Sequence, residues 1–350
     1  MQNLLPGLFK FYPQHEWIIF LDRKDKQFGF PFQQSNITVQ YVWAGVNMFS
    51  NLFILPYHTR KYKPDIMIFQ TFPAPGQKAI SIAFIHDVLF NNYPQYFTWK
   101  EKLYFLPLKW LAPTANRIVV TSEFVAKELV KFNYRKQYNE IDIVPLGIST
   151  DFKPVEELDP SLLKKVKEKF NLPDSFILFV GRLNARKNVE SLLKAIPLLR
   201  DTRITVVIVG EADGKTTPIG KILSDPRLQN RVLMTGTVTA TELPAIYAMA
   251  TLFCFPSFAE GFGLPPLEAM AAGVPVVVSR STSLPEVCGE APAYIDSYSP
   301  ENIAFALNHL LEDPKIYQQK RKTGFEQARK YSWDKTAHLL MQSITNSVKK

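Results

Sequence analysis

Apolar runs of four to six residues, rich in Val, Ile and Phe, recur along the chain and alternate with longer stretches whose apolar positions repeat every three or four residues. The short runs predict strands and the longer period predicts helices, a rhythm that builds parallel sheets covered by helices. In the first half, strands are expected at 16–21, Ile37–Val42, 65–69, Ile80–Ile85 and 117–121. A buried helix is expected over 46–55, and another over 122–130 with Ser122 as its cap. Residues 144–154 break the pattern with two prolines and a glycine, which predicts a hinge, and a charged helix at 161–170 follows. The second half restarts with strands at Phe176–Val180, 204–209, 232–234, Leu252–Phe255 and 274–278. Helices are expected at 189–199, 240–249, 266–272 and from about Pro300 onward. The expected architecture is α/β: two doubly wound domains, 1–150 and 151–330, facing across a cleft at the carboxyl ends of their strands.

A length of 350 residues suits two domains. With 46% hydrophobic and 21% charged residues, a disordered or fibrous chain is excluded. The net charge is +9, and the excess is denser in residues 1–150, with 16 basic against 10 acidic side chains, than in 151–350, with 25 against 22. That asymmetry suits an anionic partner near the first half without fixing which. Two cysteines, Cys254 and Cys288, can form neither a disulfide framework nor a zinc site and are read as buried free thiols of a reducing compartment. Residues 41–55 are too short and too interrupted to cross a bilayer. The N-terminus lacks the basic and apolar regions of a signal peptide, so the expected location is cytoplasmic.

Two loops carry chemistry. In Glu260-Gly-Phe-Gly-Leu-Pro-Pro-Leu-Glu268, an acidic side chain follows an apolar strand, Gly261 and Gly263 let backbone N–H groups approach a ligand, and prolines open the next helix. Glu268, early in that helix, can accept hydrogen bonds from sugar hydroxyls or simply complement the helix dipole. In Gly181-Arg-Leu-Asn-Ala-Arg-Lys-Asn188, three cations, Arg182, Arg186 and Lys187, crowd a strand-to-helix turn. They suit a diphosphate, or form a solvated basic turn.

These residues resemble the donor-site motifs of retaining glycosyltransferases of family 4, which have the two-domain GT-B fold. The Gly181–Asn188 turn and the Glu260/Glu268 pair match the family's two main motifs. Ala83-Phe-Ile-His86-Asp87, Val120-Thr-Ser-Glu-Phe124 and Val144-Pro-Leu-Gly-Ile148 are similar to its first-domain elements. The resemblance implies that Gly181, Arg182 and Lys187 hold the donor diphosphate, Glu268 the ribose hydroxyls and Glu260 the transferred sugar. It also implies that backbone groups of Gly261, Phe262, Gly263 and Leu264 add contacts and that His86 touches the transferred sugar; the other reading of His86 is a satisfied strand-end histidine, and Asp87 is read as a helix cap. The donor is expected to be a GDP- or UDP-sugar, with a lean to mannose, and residues 331–350 to form a helix packing back on the first domain. The family's opening strand and glycine-rich turn have no counterpart here, so a first domain lacking its first strand is expected.

No Asp-x-Asp motif occurs, and Glu140/Asp142 and Glu211/Asp213 read as lone loop pairs, so no metal and no cofactor is expected. The expected reaction is transfer of a hexose to a glycan or lipid-linked acceptor with retention of configuration. The alternatives are a non-catalytic or truncated remnant and a GT-B sugar-nucleotide epimerase or phosphorylase. No Gly-x-Gly-x-x-Gly follows the first strand of either half, which argues against an NAD enzyme. The basic residues are dispersed, which argues against nucleic acid. Six aromatics from Tyr96 to Trp110 interleave with Lys100, Lys102 and Lys109. They fit either a membrane-surface contact, peripheral at the inner face of the membrane, or a helix packing its rings inward, with Pro107 interrupting a continuous amphipathic face.

Overall fold

Runs such as Phe176–Val180, Leu252–Phe255 and Val276–Ser279, apolar on both faces of the strand, can form only where helices cover both sides of a sheet. In the computed structural model, which describes residues 2–43, 50–76, 78–211 and 219–348, they are the buried centre of such a sheet. The chain divides into two compact units: Met1–Gly147 together with Trp333–Lys350, and Ile148–Ser332.

The first unit contains β1 (Trp17–Asp22), β2 (Ile37–Val42), β3 (Ile66–Gln70), β4 (Ile80–Ile85), β5 (Arg117–Val120) and β6 (Ile141–Ile143). All pairings are parallel, but the strands form two sheets, β1-β2 and β3-β4-β5-β6. Trp17 of β1 nevertheless shares one core with Ile66, Ile68, Ile82 and Phe84 of β3 and β4, roofed by Leu4, Leu8, Ala337, Leu340 and Met341. The Trp333–Val348 helix is tied there by Thr336 Oγ1 donating to the Pro145 carbonyl (2.8 Å) and by a Tyr12–His338 hydrogen bond (2.8 Å). Ser122 caps Glu123–Lys131 by accepting from the Val125 N–H, and Asp87 accepts from the Leu89 N–H.

Several expectations need correction. Residues 46–49, the first part of the expected 46–55 helix, lie outside the described residues, and helical backbone from Ser50 runs on as Leu55–Tyr62. Asp142 is not a loop residue: it sits on β6, ion-paired with Arg117, while Asp213 lies outside the described residues. The aromatics between Tyr96 and Trp110 divide, with Tyr104 and Phe105 turned partly inward and Trp99 and Trp110 exposed.

The second unit contains β7 (Phe176–Val180), β8 (Thr205–Val209), β9 (Val232–Gly236), β10 (Leu252–Phe255), β11 (Val276–Ser279) and β12 (Ala293–Ile295). They form one all-parallel sheet in the order β12-β11-β10-β7-β8-β9. At the carboxyl ends of β7 and β8 two glycines bring backbones close: a Cβ on Gly210, whose φ is +137°, would stand 2.1 Å from the Gly181 carbonyl oxygen. Gly210→Ala is therefore expected to cost about 2–4 kcal/mol in urea unfolding. Gly220→Ala, at a helical position with open space around it, should instead be neutral or mildly stabilising. Equal stability of the two variants would refute the close-approach argument.

Candidate functional site

The sheet of the second unit changes winding direction between β7 and β10, the place where ligands bind in open parallel sheets. The loops that leave these two strands, 181–188 and 256–263, are the two singled out in the sequence. Asn188 joins them. Its backbone is left-handed (φ 54°), its side chain is buried, and its Nδ2 donates to the carbonyls of Pro256 (3.0 Å) and Ser297 (2.7 Å). The Phe258 N–H donates to the Arg186 carbonyl (2.9 Å), so backbone also bridges the loops.

A short 3-10 turn, Ala185–Lys187, aims two cations at one carboxylate. Lys187 Nζ lies 2.7 Å from Glu260 Oε1 and Arg186 Nη1 lies 3.0 Å from Glu260 Oε2. Arg186 also donates to the Ala259 carbonyl, Ser257 Oγ donates to Glu260 Oε1 (2.6 Å), and Lys187 Nζ stands 4.7 Å over the Phe255 ring. Glu260 is buried, and burial alone would push its carboxyl up. Lys187 and Arg186 overcome this and hold it down at about 2. Two basic groups on a single buried acid leave the cluster with one positive charge in excess, so it favours a further anion.

The backbone after Glu260 is held just as firmly. The Glu260 N–H donates to Thr282 Oγ1 (2.8 Å), and Ser283 Oγ lies within hydrogen-bond distance of the Glu260 (2.8 Å) and Phe262 (2.9 Å) carbonyls. Gly263 adopts φ +112°, and a Cβ there would meet Leu284 Cδ2 at 2.6 Å. The following helix, Leu264–Ala271, has prolines at its second and third positions, which carry no N–H. The amides of Gly263 and Leu264 are thus the ones at this helix start that no intrahelical carbonyl can reach.

Glu268 stands mid-helix, not at the start as expected, and is half-buried beside Tyr247 of the Leu243–Met249 helix. Tyr247 Oη donates to Glu268 Oε2 (2.9 Å). Burial pushes the Glu268 carboxyl up to about 7, against the opposing pull of the tyrosine hydrogen bond. The Tyr247 hydroxyl is raised well above its usual range, chiefly by burial.

The structure therefore joins Lys187 to Glu260 and leaves Arg182 out: its side chain is exposed, with no ion-pair partner among the described residues. Gly181 sits at the end of β7, with its N–H donating to the Val209 carbonyl (3.0 Å). Gly261, Phe262 and Gly263 are buried and Leu264 half-buried beside them. His86 belongs to the other unit, exposed at the carboxyl end of β4, its carbonyl accepting from Thr121 Oγ1 at 3.4 Å. Sequence reasoning missed the Arg186–Glu260 pair, the Ser257 hydroxyl and Tyr247; for Arg186 the signal was present in the cation-rich turn, while Tyr247 reads as one more core aromatic. Cys254 and Cys288 are buried free thiols, as expected. Among the described residues no group of three or more His, Cys, Asp or Glu side chains is placed to hold a metal ion, and no helix is long and apolar enough to cross a membrane.

The family described as "Glycosyl transferases group 1" matches residues 162–330, and "Glycosyltransferase Family 4" matches residues 18–152. The chain is 30% identical over 282 residues to O-antigen chain mannosyltransferase B of Escherichia coli, covering 79% of this chain and 72% of that protein. It is 31% identical over 238 residues to the serotype-specific mannosyltransferase WbdA of Escherichia coli, covering 66% of this chain but only 29% of the longer WbdA. The crystal structure of Anabaena HepE in complex with UDP-glucose superposes with a TM-score of 0.75 at 17% identity, covering 99% of this chain and 95% of HepE, a likeness of fold. With both halves matched in order, and the doubly wound sheet of the second unit carrying a carboxylate held by two cations at its switch point, the chain belongs to the family 4 glycosyltransferases of GT-B fold and is a hexosyltransferase.

Proposed function

We propose that this enzyme moves a hexose, with mannose first in line, from a nucleotide-diphosphate donor to a glycan or lipid-linked acceptor, with retention of configuration and without a metal. The observation that carries the reading is the Arg186–Lys187–Glu260 cluster with its surplus positive charge, whose acid sits on the loop that leads into the Leu264–Ala271 helix. Support for the sugar comes from the two mannosyltransferase relatives, and for a nucleotide donor from the UDP-glucose bound by HepE.

In this reading Lys187, with Arg182 swinging in from solvent, takes the diphosphate as charge develops on the leaving group, in place of a divalent cation. Glu260 holds hydroxyls of the transferred sugar, and Glu268 holds those of the ribose. The amides of Phe262, Gly263 and Leu264 supply fixed dipoles. Glu260, kept ionised by the neighbouring cations, acts by positioning, as an acceptor for sugar hydroxyls, and not as a nucleophile. The buried thiols fit a cytoplasmic enzyme.

A thermal-shift panel of GDP- and UDP-sugars in EDTA tests this. A cognate donor at 100 times its dissociation constant should stabilise the protein by about 2.7 kcal/mol, and adding Mg²⁺ should change nothing. A panel in which no nucleotide sugar raises the melting temperature, or one that responds only with Mg²⁺, contradicts the reading.

A further inference from the structure

Four large apolar side chains of the first unit, Trp99, Leu103, Leu106 and Trp110, are 70%, 52%, 50% and 61% exposed. Their spacing of four, three and four residues places them on one face of a helix. Pro107 does not break that face: Leu106 and Pro107 keep helical dihedrals between Trp99–Phe105 and Leu108–Leu111, so the stripe runs through the junction. The opposite side, through Leu108, Phe105 and Leu111, turns toward the protein interior. The outward apolar face is therefore a feature of the fold and not a frayed end.

Its surroundings are cationic. Lys100, Lys102 and Lys109 are exposed along the same stretch, with Lys100 Nζ lying 5.6 Å from the centre of the Trp99 ring. The stretch has one acid, Glu101, and its carboxylate closes the helix cap, accepting from Thr98 N–H (2.7 Å) and Oγ1 (2.8 Å). A second segment adds to this surface. Helical backbone from Ser50 to Tyr62 packs Leu52 into the core cluster that holds Leu108 and Leu111, over Ala83, Ile85, Ile118 and Val120, so both segments cover the same face of the β3–β6 sheet. It leaves Phe53 and Tyr57 exposed, has Arg60 and Lys61 in its last turn, and contains no acidic residue.

We infer that this face of the first unit docks on a bilayer surface bearing anionic lipid headgroups. Indole rings at both ends of the stripe suit the depth where a ring is half in hydrocarbon and half in water, and the lysines reach headgroup phosphates. A second copy of the chain fits less well, because a two-fold pair would set these lysines against their own counterparts. The inference rests on the first unit alone and stands or falls apart from the donor reading.

The test is co-sedimentation of the whole chain with vesicles of phosphatidylcholine containing about one-third phosphatidylglycerol, against pure phosphatidylcholine. The wild type should sediment with the anionic vesicles only, and high salt should release part of it. Lys100/Lys102/Lys109→Gln should weaken partitioning about 100-fold, and Trp99/Trp110→Ala should also weaken it, with an unchanged melting temperature showing that both variants fold. A wild type that stays in the supernatant, or variants that sediment like it, overturns the proposal. So does concentration-dependent self-association that the tryptophan variant loses, which would assign the face to a second copy.

Discussion

Replacing Glu260 with alanine is expected to slow sugar transfer by roughly 10²–10³-fold, the loss typical of one group aimed at a reacting centre. It is also expected to lower the stability of the second unit by about 3–5 kcal/mol, because Lys187 and Arg186 would be left facing each other without their acid. The partner changes separate the two effects. Lys187→Met removes a cation that the reading assigns to the diphosphate, so donor affinity and turnover both fall. Arg186→Met leaves the diphosphate contact in place and weakens only the grip on Glu260, whose carboxyl then rises toward its ordinary range once Lys187 turns to the phosphate. The acid limb of the rate profile should move to higher pH in Arg186→Met, a shift that loss of packing alone does not give. Measured turnover near wild type in Glu260→Ala would remove the cluster from the mechanism.

The second large effect concerns Glu268, where stability and binding should move in opposite directions. Its carboxyl is raised in the folded protein from an ordinary 4.5 to about 7. Below about pH 4.5 it is protonated both folded and unfolded and adds no pH dependence. Between 4.5 and about 7 the folded protein keeps a proton that the unfolded chain releases, so stability falls as pH rises. Above about 7 the whole cost of burying the charge is present. Glu268→Gln keeps an oxygen for the Tyr247 hydroxyl and removes the charge. At pH 8 it should be more stable than wild type by about 2 kcal/mol, or roughly 4–8 °C for a unit of this size, and at about pH 4 the two should melt together. The same variant should bind the donor about 10- to 100-fold more weakly at pH 8, because a charge-assisted bond to the ribose is lost. Wild-type donor affinity should rise between pH 6 and 8, while that of the variant stays flat. Glu260, held at about 2, works with the reverse sign: its contribution is complete above about 4.5 and is lost as the pH falls toward 2.

Most strands could be read from the chain because each is a short apolar run closed by a residue that cannot extend it, as Phe176–Val180 is closed by Gly181 and β10 by Pro256. The site was legible at the level of loops, since charge and glycine gathered after those two strands have few structural uses. Which cation meets Glu260 was not legible. That choice depends on the 3-10 turn at Ala185–Lys187 and the left-handed Asn188, which point Arg186 and Lys187 inward and leave Arg182 in solvent. Tyr247 was hidden for a different reason: its hydroxyl matters only because two helices far apart in sequence pack side by side. The aromatic stretch near Trp99 misled in part because a proline usually ends a helix, whereas Pro107 sits where the backbone needs no hydrogen from it.

The separation of β1-β2 from β3-β4-β5-β6 leaves one flank of β1 and one of β3 without a strand partner among the described residues. A strand flank with no strand beside it can pair with another extended chain, and such pairing does not discriminate between polypeptides. Crowding many copies together at the bench should therefore favour gluing between molecules through these rims, and anything extended that seats itself there, from whatever source, would keep the molecules apart.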